Sequence, residues 1–235
     1  MRGCIKRVMC ISRMNSKPMS YFSRVIIEPR TPGQVNYETQ LKSEKPIVIA
    51  TGPPGCGKTL LACKAGVDKL SMMQDISRII LTRPTVSTDE DIGYLPGTLE
   101  EKLAPWMRPL YDCLGSYYSR QMIYSFINDG TIEISPLAYM RGRTFDNSFV
   151  IADEMQNSTP AQMKMMLTRI GKNSKMVITG DLEQSDLSED NGLAHIYDLC
   201  KGFEELQYIN IVRLDETDIQ RHPAVQEILG VYNKT

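Results

Sequence analysis

Short apolar runs, each closed by polar or glycine residues, alternate along the chain with stretches whose apolar positions recur at helical spacing. Ile47-Val48-Ile49-Ala50 is the first run. Residues 78–82, 148–152, 175–179 and 207–214 come after it, and together they predict five main strands. Thr131-Ile132-Glu133-Ile134 reads as a further short, alternating strand. Helical spacing predicts helices over 37–43, 60–73, 120–128, 160–170 and 193–201, with a last one over 223–232. A helix capped by Thr98 carries Leu99, Leu103, Trp106, Leu110 and Leu114, and Pro105 and Pro109 bend or split it. Before it, residues 85–97 form a long polar loop, a length that in a compact domain often serves function. Strands alternating with helices predict an α/β fold, mainly a parallel sheet with right-handed crossovers and helices on both faces.

The connection after the first run changes this from a fold class into a chemistry. Gly52-Pro53-Pro54-Gly55-Cys56-Gly57-Lys58-Thr59-Leu60 fits G-x-x-x-x-G-K-[ST], placed between a strand and a helix start. Glycines let backbone N–H groups close around phosphate oxygens, and the helix start aims its dipole at the same anion. Lys58 would reach the β and γ phosphates of ATP, and the Thr59 hydroxyl would ligate Mg²⁺. Hydrolysis also needs a second metal ligand and a base. Phe149-Val150-Ile151-Ala152 ends in Asp153 and Glu154, suited to holding Mg²⁺ and to deprotonating the attacking water. Val177-Ile178-Thr179-Gly180 leaves the sheet into Asp181 and Gln184, either of which could sense the γ-phosphate. Gln156 joins the same network. Gln34, 18 residues before Gly52, has an amide able to read an adenine edge or simply to face solvent. Tyr37 would stack on the base or pack its helix.

Composition alters the picture in three places. The chain of 235 residues carries 27 basic and 28 acidic groups, but unevenly. Residues 1–24 hold Arg2, Lys6, Arg7, Arg13, Lys17 and Arg24 and no acid, so the remainder stands at −7. A net-acidic body argues against nucleic-acid binding by bulk charge, though not by local patches. The arm itself reads as disordered, as an organelle transit peptide, or as a nucleic-acid contact. The six cysteines form no C-x-x-C pair, which fits a reducing, cytoplasmic setting. The two histidines have no metal spacing around them, and no apolar run approaches the ~18 residues that span a bilayer. The methionines over 160–170 read as core filling.

The phosphate loop, Arg141-Gly142-Arg143-Thr144-Phe145, Asp153-Glu154-Met155-Gln156-Asn157, the run from Gln162 to Gly171, Gly180-Asp181-Leu182-Glu183-Gln184 and Arg221-His222-Pro223 together resemble PhoH-like proteins over roughly residues 31–232. The resemblance implies a single RecA-like P-loop NTPase domain over 25–235, related to superfamily 1 helicases, with strand order 5-1-4-3-2. It also implies that Gln34 reads adenine, Asp153 and Glu154 form the Walker B pair, Gln184 senses phosphate, and Arg83 touches a nucleic-acid strand. Pro54 and Cys56 depart from the family's usual Ala and Thr without replacing a fixed residue.

Such helicases take a finger arginine from a second core. One core alone implies a homo-oligomeric ring, with a hexamer as one size, and Arg143, Arg169, Arg213 or Arg221 acting in trans. The leading expectation is therefore a Mg²⁺-dependent ATPase that moves on or remodels single-stranded nucleic acid, RNA ahead of DNA, in the manner of a helicase. The alternatives are a nucleotide-gated interaction module with slow hydrolysis and, less in keeping with the acid pair, a small-molecule kinase.

Overall fold

The computed structural model describes residues 27–72, 75–84, 108–184 and 191–221, together with helical positions 224, 225, 228 and 231. The basic arm over 1–24, the loop over 85–97 and the start of the helix expected from Thr98 lie outside these residues. In order, the elements are α1 (Pro32–Lys42), β1 (Ile47–Thr51), α2 (Lys58–Ser71), β2 (Arg78–Thr82), α3 (108–115), α4 (Arg120–Asn128) and β3 (Ile132–Ile134). Then come β4 (Ser148–Ala152), α5 (Pro160–Leu167), β5 (Lys175–Gly180), α6 (Gly192–Lys201) and β6 (Ile209–Arg213). Single 3₁₀ turns cover Leu137–Met140, Met155–Asn157 and Glu216–Asp218.

All six strands run parallel, in the order β3-β2-β4-β5-β1-β6. The five main strands keep the expected RecA-like sequence. The correction is at one edge, where Ile132–Ile134 adds a sixth strand outside β2. A second correction concerns α1, which starts at Pro32 rather than at 37. The Thr31 hydroxyl accepts the Gln34 N–H at 3.2 Å, and the fixed φ of Pro32 suits a first helical position.

Strand residues alternate strictly between two cores, as the two-residue period requires. Val48, Ala50, Ile79, Leu81, Phe149, Ile151 and Val177 pack under α1 to α4. Ile49, Ile80, Val150, Ala152, Met176 and Ile178 pack under α5 and α6, where Met155, Met163 and Met166 fill the irregular gaps. No helix among the described residues is long and apolar enough to cross a membrane. Register aligns the strand ends: Thr51 lies opposite Gly180 and Arg213, and Ala152 opposite Thr82 and Ile178. The carboxyl tips of β2, β4, β5, β1 and β6 therefore share one edge, where ligands sit in folds of this kind.

Candidate nucleotide site

At that edge β1 hands over to the phosphate loop. Gly55 and Gly57 lie in the left-handed region, at φ 86° and 87°, a conformation that a side chain strains. Gly57 is the N-cap of α2 and has no side chain to screen the helix start from an anion. The Lys58 ammonium arches over the loop and donates to the Gly52 and Pro53 carbonyls at 2.5 and 2.9 Å. Pro53, Pro54 and Leu60 are half-buried beside it, and Cys56 is fully buried beneath. Burial pushes the Cys56 thiol pKa up, against the opposing pull of the Lys58 charge.

Asp153 anchors the opposite wall. Its Oδ1 accepts the Thr59 hydroxyl at 2.7 Å and the Thr179 hydroxyl at 2.6 Å. The pairing of β4 with β5 sets Thr179 level with Asp153. Thr179 was not among the sequence candidates. Its only signal was a lone hydroxyl near the end of an apolar strand. Glu154 stands at φ 55°, an unusual backbone for a residue with a side chain, which costs about 1–3 kcal/mol and marks sites that the surrounding structure over-determines. Its side chain is 46% exposed against 3% for Asp153, so one acid is enclosed and its neighbour reaches water. Gln156, buried, donates to Glu154 Oε2 at 2.6 Å and accepts the Asp181 N–H at 3.1 Å. Asp181 is itself buried and accepts the Glu183 N–H, whereas Gln184 stands exposed at the end of the same turn.

Three further side chains that the sequence singles out are held within the chain. Because Thr82 lies opposite Ala152, Arg83 emerges beside Asp153, and its guanidinium bridges Asp153 at 2.9 Å and Glu154 at 3.2 Å. Gln34 does not face solvent. It is buried, donates to the Cys56 and Asp218 carbonyls at 3.0 and 3.3 Å, and accepts the Arg30 N–H at 2.8 Å. That amide braces the phosphate loop. Tyr37 packs rather than stacks, fully buried with its hydroxyl on the Lys58 carbonyl.

Of the finger candidates, Arg143 forms a two-pronged pair with Glu133 and covers the Phe145 ring. Arg169 donates to the Met165 and Arg143 carbonyls. Both tie their own chain together. Arg213 is exposed at the tip of β6, and Arg221 packs on Gly55 of its own phosphate loop. Asp218, which the motifs do not single out, pins this side: buried, it accepts the Thr31 hydroxyl and the Asp215 N–H. The Asp-x-x-Asp spacing of a capping box was the available signal.

Donor chemistry fits the groups that the motif implies. Thr59 and Asp153 offer oxygen alone, which suits a hard cation shared with phosphate oxygens. Among the described residues no cluster of three or more His, Cys, Asp or Glu side chains gathers into a competing metal site.

A model of the PhoH-like protein family matches residues 26–233. A PhoH-like protein of Bacillus subtilis is 47% identical over 210 residues, which cover 88% of this chain and 64% of that protein. Protein PhoH of Escherichia coli K12 is 42% identical over 210 residues, covering 87% of this chain and 57% of that one. The chain thus spans less than two thirds of the length of these curated relatives. Among solved structures, the large terminase from a thermophilic bacteriophage superposes with a TM-score of 0.52 at 13% identity, over 86% of this chain and 50% of that one, which shows a shared fold. A phosphate loop and acid pair on a RecA-like sheet, matched by the family model over nearly the whole chain, lead to one conclusion: this chain belongs to the PhoH-like protein family.

Proposed function

We propose that the protein is a Mg²⁺-dependent ATPase whose turnover responds to single-stranded nucleic acid. The observation that carries this reading is the 2.7 Å contact between the Thr59 hydroxyl and Asp153, with Glu154 one residue beyond it and Lys58 one residue before Thr59. Phosphate oxygens would be bound by N–H groups of the loop and the first turn of α2. Lys58 would exchange the Gly52 and Pro53 carbonyls for the phosphates. Magnesium, when bound, supplies charge neutralisation on the phosphates and would be held by Thr59 and Asp153. Glu154, half-exposed and held by Gln156, would accept a proton from the water that attacks the γ-phosphorus, with ADP as leaving group. The nucleic-acid part of the reading rests on the resemblance to superfamily 1 cores and on the basic residues of 1–24.

The test measures phosphate release and nucleotide binding with a panel of RNA and DNA strands. Lys58→Ala should weaken nucleotide binding roughly 10- to 100-fold, the loss of one or two hydrogen bonds to charged groups. Binding and turnover undiminished in this variant would remove the assignment. Stimulation by a strand should fall log-linearly with salt, with a slope of about −0.7 per phosphate contact. Stimulation by no strand would leave a nucleotide-gated module as the better description.

A further inference from the structure

The Arg83 guanidinium is only 12% exposed and faces two acids at once. Its Nε and one Nη donate to Asp153 Oδ2 at 3.1 and 2.9 Å, and the same Nη reaches Glu154 Oε1 at 3.2 Å. The other Asp153 oxygen already accepts the Thr59 and Thr179 hydroxyls. A carboxylate offers about four lone-pair sites, and here all four have donors. The two kinds of donor are not equivalent towards a cation. A hydroxyl can donate to Asp153 and still offer its own lone pairs to a metal. A guanidinium has no acceptor and carries the same sign of charge as the metal. A divalent ion arriving at Thr59 and Asp153 therefore competes with Arg83 and leaves the hydroxyls in place. Glu154, more exposed and one residue on, is the acid that the arginine can keep.

We propose that Arg83 is a positioning residue of the metal site. Its guanidinium holds Asp153 and Glu154 in register, and the divalent cation displaces it from Asp153 onto Glu154. The inference rests on the nucleotide–metal reading above and adds a residue that this reading does not need. It makes metal binding weaker than the donor set alone would allow. It also links metal arrival to the tip of β2, the strand that ends one residue before Arg83.

The experiment titrates Mg²⁺ against binding of a fluorescent, non-hydrolysable ATP analogue to the full chain, for wild type, Arg83→Gln and Arg83→Lys. Direct Mn²⁺ binding by electron paramagnetic resonance runs in parallel. A competing charge within 4–6 Å is worth roughly one to three decades in an ionic equilibrium, so the Arg83→Gln midpoint should fall about tenfold or more. Binding of the analogue in EDTA should weaken in the same variant, because a positive charge near the phosphates is gone. Arg83→Lys, which keeps the charge but not the fork, should lie between. An ion pair that merely supports the fold would move the melting temperature and leave the Mg²⁺ midpoint alone. A midpoint unchanged or raised in a variant with native circular dichroism would overturn the proposal. If Arg83→Gln does not fold, Arg83→Lys decides on the same midpoint. Lack of Mg²⁺-dependent binding by the wild type would defeat the site reading, and this inference with it, and would show before any substitution is made.

Discussion

At the carboxyl edge of the sheet, buried Asp153 meets two hydroxyls and a guanidinium; at the amino edge, buried Lys175 meets the carbonyls of Gln40 and Ser43 at 3.2 and 2.6 Å. Both edges enclose charge, which costs free energy unless the charge is matched. The partners differ in kind. Hydroxyls, guanidinium and amide turn on rotatable bonds, so the network around Asp153 can exchange one member for another. The carbonyls that hold Lys175 belong to the last turn of α1 and its cap, and they move only with the helix. One edge is arranged to change partners, and the other fixes α1 to the sheet. That division separates two signatures: substitutions at the top change function, whether or not they also change stability, and a substitution at the base changes stability without function.

Glu154→Gln should give the largest effect. The amide keeps the shape and a bond to Gln156 but cannot take a proton. Single-turnover phosphate release should drop about 10²- to 10⁴-fold, the usual contribution of a general base, while the melting temperature holds. A drop below tenfold would mean that the base lies elsewhere, with Asp181 next to be tried.

Gly55→Ala sharpens the contrast from within the upper edge. Its φ of 86° is left-handed, and an added Cβ would meet the Arg221 side chain. Left-handed backbone costs a non-glycine residue about 1–2 kcal/mol. Nucleotide affinity should fall about tenfold, with a loss of stability of similar size, read by calorimetry and denaturant melts. Unchanged affinity would mean that the loop reshapes freely and that the brace from Arg221 and Gln34 does not hold it.

Local sequence carried the strands, the phosphate loop and the acid pair, because each is written in adjacent residues: an apolar run with its terminating chemistry. The start of α1 was equally legible. Thr31 and Pro32 are a cap and a first helical position, and the expectation over 37–43 followed apolar spacing past them. Arg83 shows a different limit. The expected strand order already set the tips of β2 and β4 side by side. Register was the missing quantity, since a slip of one residue would turn Arg83 to the other face. Gln34, Asp218 and Arg221 meet through a turn after β6 that returns to the first helix, contacts separated by some 184 positions in the chain. No local pattern encodes such a meeting, so the brace under the phosphate loop could be found only in three dimensions.

The smallest effect belongs to the base. Burial, and then the charge of Lys69, pull the Lys175 ammonium down to about 8, against an opposing pull from Glu44. In the unfolded chain the same group titrates near its usual ~10.4. Between those values the unfolded chain binds more protons than the fold, so this residue makes stability rise with pH across that window. Below pH 8 both states are protonated, and the penalty of the buried charge is fully present. A fall of that size corresponds to about 3 kcal/mol, which solvent screening reduces to about 1–2 kcal/mol. Lys175→Met removes the titration along with the two bonds to α1. Urea melts at pH 7.5 and 9.5 should show the wild type gaining stability relative to the variant as pH rises, and identical slopes would show that Lys175 keeps an ordinary pKa. ATP turnover of the variant at pH 7.5 should match the wild type, because the lysine lies at the opposite end of β5 from Thr179 and Asp153. A turnover that fell with stability would show that the two edges communicate through the strand, and the division between an exchangeable edge and a fixed one would not stand.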